Sequence, residues 1–198
     1  LVATRLDLHS AQRGICKKSA EQRNKPAVDV RLFRCESRAW QIFKQHHYIS
    51  ESLNEAAYCV MATIEDKPCA FFAFLPMPSG TVKNAWRCSR IGVLPEFQGM
   101  GIGYKVTKTL FSMYKSIGRR MYIRTINPAL VHSFKRDCAF KYNGYTKSSP
   151  EGGQMKNRKI RESKAHSFEY IGDSYQGDCS IIQKTREQIL DNNMTFDF

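Results

Sequence analysis

The chain has 198 residues, 42% of them hydrophobic and 12% aromatic, with 31 Lys and Arg against 18 Asp and Glu for a net charge of +13. That apolar content excludes a disordered chain, and the length suits one domain with a full core. No apolar run approaches membrane-spanning length, so a soluble, cytoplasmic protein without a membrane partner is expected, and the charge favours an anionic partner such as a phosphorylated ligand or nucleic acid.

Residues 1–27 are polar and basic, with Arg5, Arg13, Lys17, Lys18, Arg23 and Lys25, and read as a tail closed by Pro26. Val28 to Phe33 alternates like a first strand. Ser37 can cap a helix on which Trp40, Phe43 and His47 share a face, and Ser52-Leu53-Asn54-Glu55 has the form of a capping box for a second helix. Two β-rich runs follow, Tyr58 to Ile64 and Cys69 to Leu75, with a turn expected at Asp66-Lys67-Pro68. A third, Trp86 to Leu94, leads into Gln98-Gly99-Met100-Gly101-Ile102-Gly103. The helix after it shows a stripe of Val106, Leu110, Met113 and Ile117 and stops at Gly118. Arg120 to Ile126 reads as a strand, Asn127-Pro128 as the start of a helix reaching Asp137, and Phe140 to Thr146 and His166 to Ile171 as closing strands.

The predicted fold class is therefore α/β, or α+β with a mixed sheet. The expected division is a tail over 1–27, one domain over 28–175 with a basic loop near 147–164, and an extension over 176–198. The seven cysteines are odd in number and form no Cys-x-x-Cys pair, which reads as reduced, buried thiols.

The glycine run carries the chemistry. Three glycines between a strand and a helix let backbone N–H groups approach an anion, and the helix N-terminus adds partial positive charge behind them. The spacing does not fit a Rossmann Gly-x-Gly-x-x-Gly, and no Gly-Lys-Ser/Thr is present for a phosphate-binding loop of the Walker type. Gln-x-x-Gly-x-Gly after a strand resembles the pyrophosphate motif of the GNAT family of N-acetyltransferases, and the order of elements over residues 28–145 is similar to that fold.

The resemblance implies splayed central strands with the pantetheine arm of acetyl-CoA between them. Ile91 and Val93 would then offer backbone groups to the pantetheine, Gln98, Gly99, Met100, Gly101, Ile102, Gly103 and Tyr104 would hold the pyrophosphate, and Asn127 would help orient the cofactor. Many members place a Tyr where this chain has Phe134, which has no proton to give to a leaving thiolate; either water or Tyr104 serves instead, or the thiolate leaves unassisted.

The segment Gln45-His46-His47-Tyr48-Ile49-Ser50 resembles a His-His-Tyr-Leu-Ser segment in a GNAT branch of bacteria and phages, related to the phage Mom proteins that modify adenine in DNA. On that resemblance His47 and Tyr48 line the acceptor side together with Asp137. His47 also reads as a packed histidine beside Trp40 and Phe43, and one His, one Tyr and a distant Asp make no metal site. The expected activity is acetyl transfer from acetyl-CoA to an amine. A DNA-modifying protein on the same fold, and a nucleic-acid-binding module without turnover, stand as the alternatives. The acceptor amine and the oligomeric state stay open.

Overall fold

The computed structural model describes residues 4–7, 28–46, 52–147 and 164–183. Among the described residues eight strands form a single sheet in the order β1-β2-β3-β4-β5-β6-β8-β7: β1 Thr4–Asp7, β2 Asp29–Cys35, β3 Tyr58–Ile64, β4 Lys67–Pro76, β5 Ala85–Val93, β6 Arg120–Thr125, β7 Phe140–Lys147 and β8 Lys164–Tyr170. Every neighbouring pair is antiparallel except β5 and β6. The mixed sheet agrees with the expected class. β1 is an edge strand within the segment read as a basic tail.

Alternation explains β2, where Val30 and Leu32 are fully buried between the exposed Asp29 and Arg31. β4 is instead a continuous buried run from Cys69 to Phe74, as a strand covered on both faces must be. The β3–β4 turn sits at Glu65 and Asp66, both left-handed at φ 49° and 62°. That is the two-residue turn whose twist matches a hairpin, and it moves the turn ahead of the expected Asp66-Lys67-Pro68. Lys67 and Pro68 belong to β4, and the register shifts beside Pro68, which has no N–H for the ladder.

Helices α1 (Ile102–Ser116) and α2 (Pro128–Arg136) contribute to the core on one face, joined by the short α3 (Ser180–Gln183). α3 buries Ile181 and Ile182, so part of the segment read as an extension belongs to the core. A second cluster brings Trp40 and Phe43 against Cys59, Met61, Phe71 and Ala73.

Among the described residues neither of the two expected helices forms as an α-helix. Ser37–Ile42 and Lys44–His46 are 3-10 turns, with Glu36 rather than Ser37 at the cap position and no side-chain cap bond. Trp40 and Phe43 are three residues apart, a spacing that a 3-10 turn brings to one face as readily as an α-helix does. At Ser52–Glu55, the Asn54 side-chain oxygen accepts from the Ala56 N–H and closes a local turn, which competes with a capping box.

α1 ends as expected. Gly118 lies at φ 77°, its N–H donates to the Lys115 carbonyl, and the Arg119 N–H donates to the Tyr114 carbonyl, the paired bonds of a Schellman cap. α2 starts with Pro128 behind Asn127, whose Oδ1 accepts from the N–H groups of Ala129 and Leu130. All six cysteines in the described residues are free; burial pushes the thiols of Cys59, Cys69 and Cys88 up to about 12, so they stay protonated. Among the described residues no helix is long and apolar enough to cross a membrane.

Replacing Gly118 by Ala should cost about 1 kcal/mol, because its left-handed conformation strains any Cβ. Gly80→Ala, also in open space but without a left-handed backbone, should leave the urea midpoint unchanged.

Candidate active site

β5 and β6 pair over only four residues, from Ala85 with Arg120 to Cys88 with Ile123. β5 then continues to Val93 without β6. The separation starts at a bulge: on the β4 side Ala73 pairs with Arg90 and Phe74 with Cys88, leaving Ser89 as the extra residue. A bulge bends its strand and adds twist, and Ser89 Oγ fixes this one by donating to the Ala73 carbonyl.

Beyond the bulge the Leu94 N–H returns to the Cys69 carbonyl. Antiparallel alternation then assigns Gly92 to the residues bonded to β4 and turns the backbone groups of Ile91 and Val93 toward the gap left by β6. The Val93 carbonyl receives the Gln98 side-chain amide at 2.9 Å. Gln98 therefore folds the loop back onto β5.

A 3-10 turn, Pro95–Phe97, leads to Gly99 and Gly101 at φ 78° and 81°. A Cβ built on either would meet nothing within 4 Å, so the space beside them is open. Gly101 caps α1 with no side-chain bond, and the first hydrogen bond in register runs from the Lys105 N–H to the Gly101 carbonyl. The N–H groups of Ile102, Gly103 and Tyr104 thus have no intrahelical acceptor. Met100 is exposed, whereas the Ile102 side chain is buried and only its backbone can meet a ligand. Gly103 serves packing instead. A Cβ there would lie 3.3 Å from the Val93 side chain, so its absence lets α1 approach β5 closely.

The Tyr104 side chain turns toward α2 and β7. Its ring packs near Phe134 and Phe140, and its hydroxyl donates to Asp137 Oδ2 at 2.5 Å. Lys108 Nζ lies 2.6 Å from the same oxygen, and the Ala139 N–H donates to Oδ1 at 2.9 Å. Burial alone would raise the Asp137 carboxyl, but the hydrogen bonds from Lys108, Tyr104 and Ala139 outweigh it and hold the group below its ordinary value. Burial, then the bond to Asp137, pushes the Tyr104 phenol far up. Tyr104, considered as a substitute acid for Phe134, thus stays protonated with its hydroxyl bonded to Asp137.

Phe134 is fully buried, 4.5 Å from Phe140 and 5.4 Å from Phe168 between ring centroids. Asn127 spends its side-chain oxygen on the first turn of α2, which leaves its amide N–H groups for other partners. His47 and Tyr48 lie outside the described residues. The Lys108–Asp137 pair and the Ser89 bulge were not read from the sequence. Lys108 lies off the apolar stripe of α1, where the sequence alone marks no partner, and nothing in a lone Ser marks a bulge.

The chain thus crosses from β5 through a glycine loop and α1 to a parallel β6 that pairs with only the first part of β5. Residues 25–140 match the acetyltransferase (GNAT) family, and the chain belongs to it. Solved structures of similar fold include an IAA acetyltransferase from Bacillus cereus, at 13% identity and TM-score 0.54 over 71% of this chain and 98% of that one. An acetyltransferase from Bacillus subtilis in complex with CoA aligns at 14% identity and TM-score 0.53 over 71% and 97%. A ribosomal-protein alanine N-acetyltransferase from Escherichia coli aligns at 16% identity and TM-score 0.53 over 75% and 97%. No curated protein matches the chain in sequence.

Asp137→Asn should destabilise the protein by about 2 kcal/mol, the scale for hydrogen bonds to a charged group. The carboxyl is depressed in the folded state, so its contribution is present above the unfolded value near 3.9 and is lost as pH falls through the folded value. Urea midpoints should therefore show the gap between wild type and variant closing below about pH 4. A gap of constant size would mean that the charge of Asp137 does no work.

Proposed function

We infer that the protein transfers the acetyl group of acetyl-CoA directly to an amine in a ternary complex. The observation that carries this reading is the gap between β5 and β6, which opens beside an uncapped helix N-terminus and two left-handed glycines with free space around them.

The residues fit the ligand. The N–H groups of Ile102, Gly103 and Tyr104, with the helix dipole behind them, suit a pyrophosphate. The gap-facing backbone groups of Ile91 and Val93 suit the amides of a pantetheine arm, because an unpaired backbone group inside a protein demands a partner. On the family resemblance, Asn127 would add a further donor through its side-chain amide, whose oxygen is already used by α2. Bound there, acetyl-CoA supplies an activated thioester.

The remaining catalytic requirement is orientation. An amine must be held neutral and close to the thioester carbonyl, with a backbone N–H aimed where negative charge develops. Phe134 has no proton for the departing sulfur and the Tyr104 hydroxyl is held by Asp137, so the thiol's own acidity lets it leave as thiolate, with or without a water as acid. The proton lost by the amine nitrogen passes to water or to that thiolate. The acceptor side is assigned to His47 and Tyr48 on the resemblance of their segment. Asp137 serves that site indirectly, as the clamp that fixes Tyr104 and Lys108 of α1 against the end of α2.

Titration calorimetry with CoA tests the donor half. Gly101→Phe should weaken binding at least tenfold by filling the cradle. Gly101→Ala carries the same backbone strain with a smaller side chain and should lose much less. Equal losses would move the pyrophosphate elsewhere. For the acceptor half, His47→Ala should remove acetyl transfer to an amine panel while CoA affinity stays at the wild-type level; a variant that transfers normally removes His47 from the site.

A further inference from the structure

The sheet face that carries α1 and α2 continues to the outer strands β8 and β7. Phe140, Phe168 and Tyr170 lie buried along it, and the row then emerges into solvent. Tyr142 is 39% exposed and Tyr145 is 49% exposed. His166 lies beside both, with ring centroids 5.7 Å and 5.8 Å away, and its Nδ1 is hydrogen-bonded to the Tyr142 hydroxyl at 2.9 Å.

A lysine stands over each tyrosine. Lys135 Nζ is 4.6 Å from the Tyr142 ring centroid and Lys164 Nζ is 4.9 Å from that of Tyr145. Neither lysine forms an ion pair among the described residues. Partial desolvation and then the two lysines push His166 below its ordinary value, which leaves an uncharged ring at neutral pH. The three rings form a ladder flanked by unneutralised charge, on a chain whose net charge is +13.

Such a surface selects for a partner with flat aromatic faces and negative charge in alternation. An acidic peptide supplies the charge without the faces. A duplex keeps its base faces stacked within itself. A single strand offers both, with bases that can stack on Tyr and His while phosphates meet lysines. We propose that the Tyr142–His166–Tyr145 ladder, with Lys135 and Lys164, is a binding surface for single-stranded nucleic acid. This surface is independent of the acyl-transfer reading, and either can fail without the other.

Fluorescence anisotropy of a labelled single-stranded 20-mer with the full chain tests it. Wild type should bind in a salt-dependent way, and Tyr145→Ala should weaken binding at least fivefold while Tyr145→Phe, which keeps the ring, binds normally. Replacing Lys135 and Lys164 by Gln should flatten the log–log salt slope by about 1.4, as expected for two phosphate contacts to a single strand. Replacing the exposed Lys67 and Lys83 by Gln removes the same charge elsewhere and should change affinity by less than twofold. The proposal is overturned if the 20-mer does not bind at 50 mM salt, if Tyr145→Ala binds like wild type, or if the remote lysine pair matters as much as the local one. Equal affinity for polyglutamate or for a duplex of the same length would overturn it too. A thermal midpoint kept within a few degrees shows that the variants are folded.

Discussion

The separation of β5 from β6 is the constraint on which the rest of the molecule depends. Two parallel neighbours in the middle of a sheet ordinarily satisfy each other's backbone along their whole length. Here they do so for four pairs and then part at the Ser89 bulge. The gap leaves the N–H and C=O groups of β5 beyond Cys88 without β6 as a partner, and backbone groups inside a protein require partners. Gln98 already meets one of them through the Val93 carbonyl, and in doing so sets where the glycine loop turns.

Holding such a gap open requires rigid walls. α1 is fixed at both ends: Gly103 lets its first turn sit against Val93, and the paired bonds at Gly118 and Arg119 close its last. Asp137 then ties α1 to the end of α2 through Tyr104 and Lys108. Behind this tie, Phe134, Phe140 and Phe168 pack into a buried aromatic cluster. Phe134 is thus a packing residue at the centre of that cluster.

Much of this was legible in the sequence wherever a signal is local. The β-rich runs at Tyr58–Ile64 and around Phe71 became strands, the Val106–Leu110–Met113 stripe became the buried face of α1, and Gly118 and Asn127-Pro128 marked helix ends where they stand. The glycine loop fell at a strand-to-helix junction as read. The failures have a common cause: Ser37 and the Ser52–Glu55 box carry the residue types of helix caps, yet 3-10 turns and an Asn54 side-chain turn formed in their place. Caps state that a helix could begin and do not supply the packing that keeps it.

By itself, then, the sequence determined the loop that turns backbone N–H groups toward an anion, the amphipathic helix behind it and the residues that terminate both helices. These depend on conformational preferences within a few positions of one another. Only the tertiary structure decided that β5 and β6 part after Cys88 and Ile123, that Asp137 binds Tyr104 and Lys108, and that Tyr142, Tyr145 and His166 stand together in solvent. Each of these joins residues about twenty to thirty-five positions apart, or rests on strand pairing at that separation. Chain folding, and no local preference, brings such groups within reach.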